Sequence, residues 1–169
     1  MSLKLILTRH AKSDWANPVL DDHDRPLNGR GRAAARLVGA WLAERDHLPG
    51  LALCSSAART RETLAILAAA LPEPPRQRIL RELYLASADE MLALLRRHGR
   101  GETVLMLGHN PGTGVMARML ASAPPDDTEF VRYPTAYTTV FGFEADSWAE
   151  VDWGQGLVAD HAAPRDLDT

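Results

Sequence analysis

Three short apolar runs, at residues 3–8, 51–55 and 103–107, each end abruptly at polar residues and each precede a stretch with helical periodicity. The runs LALCS and TVLML are apolar throughout rather than alternating, so both faces of each strand need covering. They are too short for buried helices and have the length of strands. Strands that alternate with helices, and that are buried on both faces, specify a parallel sheet layered between helices.

The segments between the runs fit this scheme. Residues 11–32 are polar, turn-rich and rich in aspartate, and read as a loop. Within it Asn28 can cap a helix running to about Asp46, with Leu37, Val38, Trp41 and Leu42 at helical spacing. A second helix is predicted over 57–71, stopped by Pro72, and a short strand over 78–83. Ser87-Ala88-Asp89-Glu90 is a capping box that opens a helix to about His98. Asn110-Pro111 supplies a cap and an N1 proline for a helix to about Ala121. Residues 135–143 alternate and are rich in β formers; 148–153 is a weaker strand that can pair with them. These two follow each other without a helix, so one edge is expected to be antiparallel. The tail from His161 reads as irregular. The expected fold is α/β: one three-layer domain over residues 1–169, with a mostly parallel central sheet, helices on both faces and one antiparallel edge.

Composition sets the outer limits. A formal net charge of −3 gives no reason to expect a nucleic-acid or membrane-surface partner. The single cysteine, Cys54, excludes an internal disulfide and fits a reducing compartment. No run approaches the length of a membrane span. A cytoplasmic protein is the expectation; the oligomeric state is not legible.

Arg9 and His10 stand side by side at the end of the first strand, where a buried charged pair is costly unless something occupies it. His109 holds the equivalent place after TVLML. Ligands of open α/β sheets bind beyond the carboxyl ends of the strands, so both histidines are expected on the functional rim. His23, His47, His98 and His161 lie in loops or at helix ends and carry no such signal. Arg59 and Arg61 fall in the first turn of the helix after the second strand, where the macrodipole disfavours cations. An anion in front of them is one explanation, solvated surface arginines the other. On the first view Arg59→Ala, without ligand, is expected to be neutral or slightly stabilising. Glu82, in Leu80-Arg81-Glu82-Leu83-Tyr84, could supply a general acid or be a surface residue paired with an arginine.

Two histidines, two arginines and a carboxyl group on one rim suit phosphoryl transfer through a covalent intermediate. Neutral imidazole is an accepted nucleophile, and guanidinium groups match phosphate oxygens. Charge repulsion from the arginines would help keep His10 neutral. Competing chemistries fit less well. Cys54 to Arg59 has four intervening residues and no glycine, unlike a thiol-phosphatase loop, and Cys54 ends an apolar run. No H-x-x-x-H or C-x-x-C pair suggests a metal site. A phospho-ligand binding module without turnover is the non-enzymatic alternative.

The ordered set Thr8-Arg9-His10-Ala11-Lys12-Ser13, Arg25-Pro26-Leu27 with Gly29-Arg30-Gly31, Ser55-x-Ala57-x-Arg59-Thr60-x-x-Thr63, Glu82-Leu83-Tyr84 and Gly108-His109-Asn110 resembles the histidine phosphatase superfamily (phosphoglycerate mutase-like). Within it, the match is to the small SixA-like phosphohistidine phosphatase branch, whose ending the tail 163–167 also resembles. The resemblance implies that His10 is the phosphorylated nucleophile, that Arg9, Arg59 and His109 bind phosphate, that Glu82 is the proton donor, and that no metal or cofactor is needed. Ala11 replaces the glycine common after the histidine, and Ala16 stands where mutases carry asparagine. No long insertion follows Glu82 or precedes Gly108. Larger relatives use such insertions as lids over small sugar phosphates, so the implied substrate is a phosphorylated protein, with a small phosphoester as the alternative.

Overall fold

A computed structural model describes residues 2–167. The first apolar run forms β1 (Ser2–Arg9), the second β2 (Leu51–Ser55) and the third β4 (Thr103–Gly108). With β3 (Arg76–Leu80), β5 (Thr138–Glu144) and β6 (Leu157–Ala162) they make a six-stranded sheet of order β3-β2-β4-β1-β5-β6. The pairs β3–β2, β2–β4 and β4–β1 are parallel, while β1–β5 and β5–β6 are antiparallel.

Alternate residues of the central strands feed two cores. Leu5, Leu7, Leu53, Val104 and Met106 pack with Met91, Leu95 and Met116 of α3 (Ala88–His98) and α4 (Gly112–Leu120). Ile6, Ala52, Cys54, Leu105 and Leu107 pack with Val38, Leu42, Leu64 and Leu67 of α1 (Gly29–Glu44) and α2 (Ala58–Ala69). Burial on both faces is why these strands read as continuous apolar runs. The start signals act as expected: Asn28 accepts from Gly31 N, and Ser87 and Glu90 form a reciprocal capping box.

Several elements differ from the sequence expectation. The strand expected over 78–83 is β3, Arg76–Leu80, followed by a 3-10 turn at Arg81–Leu83. As an edge strand it keeps Arg76 to Ile79 exposed, so it lacks a buried pattern, and the chain turns away to bury Leu83 against the α3 side of the sheet. The strand expected over 148–153 is instead a 3-10 turn, Trp148–Glu150. The sixth strand is β6, and it includes His161, so the tail is regular further than expected. Its pattern is obscured by Asp160 and His161, polar residues with tertiary partners: Asp160 Oδ2 lies 2.9 Å from His47 Nε2, and His161 Nδ1 2.7 Å from Tyr137 Oη. β5 starts at Thr138 rather than near 135, because Tyr133 and Ala136 adopt positive φ (48° and 63°). A short helix, α5 (Thr128–Arg132), precedes it, capped by Asp127. Pro111 stands just before α4 rather than in its first turn, and Asn110 reaches instead to Gly114 N.

Candidate active site

The register of β1 and β4 pairs Arg9 with Gly108. The next residue of each strand is a histidine, so His10 and His109 leave adjacent parallel strands with ring centroids 5.3 Å apart. Both are buried, at 6% and 2% exposure. His10 Nδ1 lies 2.6 Å from the Ala11 carbonyl oxygen. A carbonyl only accepts, so Nδ1 carries the hydrogen, and in the neutral ring Nε2 keeps its lone pair. The pKa of His10 is lowered to about 4, which favours the neutral ring near pH 7. Burial is the largest cause, and Arg9 and Arg59 add to it against the opposing pull of the Ala11 carbonyl and Asp22. Desolvation, more than the charge repulsion expected from sequence, keeps this ring neutral.

His109 is lowered further, to about 3, by burial first and then by His10 and Arg59. Its Nε2 lies 2.7 Å from Ser55 Oγ, at the end of β2, and its Nδ1 is buried without a partner. Arg9, half-buried, donates Nη1 to Tyr133 O at 3.3 Å, and its Nε is also buried and unpaired. Burial and the nearby Arg59 both lower the pKa of Arg9.

Arg59 is 5% exposed in the first turn of α2. The anion in front of it is Asp22, on the 3-10 turn Asp22–Asp24 of the long loop after His10. Arg59 Nη1 donates to the Asp22 carbonyl at 2.7 Å and Nη2 to Asp22 Oδ2 at 3.0 Å. Tyr84 Oη donates to the same Oδ2, and its ring stands edge-on to His109. Burial pushes the Asp22 carboxyl up, but the hydrogen bonds from Tyr84 and Arg59 outweigh it, so the group lies below its ordinary range. Arg59 is thus an ion-paired buried residue, and the expectation that its removal is neutral or stabilising is corrected. Arg61 is exposed, donates to Ser56 O and takes no part in the site.

These groups line an open cleft of about 630 Å³, walled further by Lys12, Trp15, Asn110 and Arg132. A larger cleft of about 780 Å³ at the opposite end of the sheet is lined by Arg76, Arg78, His98 and Arg100 and contains none of them. The structure therefore brings Arg9, His10, Arg59 and His109 together. It does not bring Glu82, which is exposed on the Arg81–Leu83 turn and outside the cleft lining. From that turn Tyr84 reaches inward instead, and the carboxylate in the cleft belongs to Asp22. Nothing in the sequence singles out Asp22 among Asp14, Asp21, Asp22 and Asp24; only the docking of the loop on α2 does. Cys54 is fully buried, and burial pushes its thiol up to about 12, which leaves no nucleophilic thiolate.

Residues 5–91 match the model of the histidine phosphatase superfamily, branch 1. The chain belongs to the histidine phosphatase superfamily. Within that superfamily its likeness is to the SixA type. It is 31% identical to a candidate phosphohistidine phosphatase SixA from Nakamurella multipartitia, with a TM-score of 0.80 over 97% of each chain. It is 28% identical to a second candidate SixA, from Agrobacterium tumefaciens, with a TM-score of 0.77 over 96% of this chain and 98% of that one. An uncharacterized protein of Mycobacterium tuberculosis is 35% identical over 165 residues, 93% of this chain and 99% of the relative. This histidine phosphatase is a SixA-like member.

Proposed function

We propose that this SixA-like protein is a phosphatase that works through a phosphorylated His10, without a metal, on phosphohistidine of a partner protein. The observation that carries the reading is the 2.6 Å contact from His10 Nδ1 to the Ala11 carbonyl, which leaves Nε2 as a neutral nucleophile in a cationic cleft. Nε2 attacks phosphorus, the leaving group departs, and water then cleaves the new N–P bond. Arg9, Arg59 and His109 surround the position the phosphoryl oxygens would take. Arg9, Arg59 and His109 line the same cleft as His10, so an anion there would meet two guanidinium groups and an imidazole. Among the described residues no group of three His, Cys, Asp or Glu side chains is placed to hold a metal, and the two arginines supply the positive charge that an ion would otherwise bring.

A protein substrate is favoured by the mouth of the cleft. It is open, and Trp15 and Leu85, both of which line it, are 68% and 56% exposed. Exposed apolar groups beside a polar pocket suit contact with another protein surface. Glu82 has no role here, and phosphohistidine as leaving group makes little demand for one.

The test is a rapid quench with labelled phosphorylated substrate, followed by peptide mapping. Acid-labile label on His10 is expected, with none in His10→Ala. Label on another residue, or full turnover by His10→Ala, would overturn the reading. Comparing a protein phosphorylated on histidine with a panel of sugar phosphates then decides the substrate class.

A further inference from the structure

Among the described residues that line the cleft, Asp22 carries the only carboxylate. Its two oxygens are unequal. Oδ2 accepts from Arg59 Nη2 and from Tyr84 Oη. Among the described residues Oδ1 accepts no hydrogen bond; it forms a longer ion pair with Arg25 Nε, 3.8 Å away, and so keeps its hydrogen-bonding capacity. The side chain is 42% exposed, whereas His10 and His109 at the cleft floor are buried. Asp22 lines the same cleft as His10 and His109, so a phosphoryl group on His10 Nε2 would sit at the floor with its leaving group toward the more exposed level at which Asp22 stands.

We propose that Asp22 sets the leaving-group preference of the site. Its carboxylate, braced by Arg59 and Tyr84, accepts a hydrogen bond from the free ring N–H of a protonated phosphohistidine and so favours phosphoramidates over phosphate esters. This rests on the reading of His10 as nucleophile. In the step, the lone pair of His10 Nε2 forms the new N–P bond as the P–N bond of the substrate breaks. The released electron pair stays on the departing ring nitrogen and cancels the positive charge of the ring. The ring leaves as neutral imidazole, keeping its proton on the other nitrogen, hydrogen-bonded to Asp22 Oδ1. No proton is delivered to the leaving atom, so no general acid is required. An alkyl phosphate departs as an oxyanion that needs a proton; an ionised carboxylate has none to give and repels the developing charge. The Tyr84 and Arg59 hydrogen bonds keep Asp22 in that ionised form.

The experiment compares kcat/KM for free phosphohistidine and for p-nitrophenyl phosphate in the parent protein, Asp22→Asn and Asp22→Glu. Asparagine keeps an acceptor for Arg59 and Tyr84 but loses the charge. The ratio of phosphohistidine to p-nitrophenyl phosphate activity is expected to fall roughly 10- to 100-fold in Asp22→Asn, the scale of one hydrogen bond to a charged group. Asp22→Glu should restore part of it. Equal losses on both substrates would mean that Asp22 only braces Arg59, and would overturn the proposal. Trapping phospho-His10 in the parent protein with labelled p-nitrophenyl phosphate separates the two readings. Label on His10 with an unchanged ratio removes the role of Asp22 alone; no label on His10 removes the nucleophile as well.

Discussion

His10 and His109 are buried histidines whose folded pKa values, about 4 and about 3, lie below the ordinary 6.5. Above pH 6.5 neither the folded nor the unfolded chain binds these protons, and stability is intact. As pH falls from 6.5 to about 4, only the unfolded chain binds them, so stability declines through that window. Below the folded values both states are protonated and these groups cause no further loss. Urea midpoints measured across this range should fall with pH, and His10→Asn should flatten part of the fall. By NMR the His10 ring should not titrate between about pH 8 and 5, where an ordinary histidine does. Arg59 makes a second prediction at this scale. Its guanidinium holds Asp22, so Arg59→Ala should lower stability by about 1–2 kcal/mol, a value reduced because Asp22 is partly exposed. It should also lower kcat/KM by roughly 10²–10³-fold, the scale of losing a preorganised donor. Arg59→Lys should recover only part, since an ammonium lacks the paired donor geometry. Thermal melts and steady-state assays on the two variants check both effects.

The element that matters most to the site, beyond its strands, is the start of α1. Its Gly29-Arg30-Gly31 segment contains two glycines with different duties. A Cβ on Gly29 would meet nothing within 4 Å, whereas one on Gly31 would lie 2.1 Å from the Lys12 carbonyl oxygen. That carbonyl also accepts from Asn28 N, so α1 is pressed against the chain two residues after His10. Gly29→Ala should be neutral or slightly stabilising, because alanine is the better helix former. Gly31→Ala must push the Lys12 backbone aside. It should cost about 1–3 kcal/mol, as overpacking does, and should lower activity by displacing the loop that carries Asp22. Denaturant unfolding of the pair, with kcat/KM alongside, tests this. Equal behaviour of the two variants would show that the close approach at Gly31 is not maintained in solution.

On the scale of the molecule, the central position of β1, between β4 and β5, gathers groups from distant parts of the chain. The rim receives Arg9 and His10 from β1, His109 from β4, Ser55 from β2 and Arg59 from α2. A phosphate-like oxyanion in the cleft would join groups from β1, β4 and α2, with Ser55 supporting His109 from behind, and would therefore bind the folded chain alone. Vanadate at about 100 times its Kd should add about 2.7 kcal/mol of stability. For a chain of this size that is a rise in Tm of roughly 5–10 °C. The rise should be much smaller in Arg59→Ala. Exhaustive chelation should leave both Tm and turnover unchanged; loss of activity restored by Zn²⁺ or Mg²⁺ would contradict the metal-independent reading.

The alternation of apolar runs with helical segments was enough to specify the layered α/β sheet, because strands buried on both faces must be apolar throughout. The places of Arg9, His10 and His109 were equally legible, since a residue that follows a central strand can only emerge at the carboxyl rim. Arg59 was visible as a cation at the wrong end of a helix. Edge strands are poorly legible in sequence: β3 is mostly exposed and β6 half-solvated, and the polar residues of β6 are satisfied by partners far away in the chain, so neither carries a burial pattern. The carboxylate of the site was beyond the reach of sequence. Glu82 had the favourable local position, but the turn that buries Leu83 leaves it outside the cleft and sends Tyr84 inward. Asp22 became the cleft carboxylate only when a featureless loop folded onto α2, and that choice is made by its long-range hydrogen bonds to Arg59 and Tyr84, which no local pattern encodes.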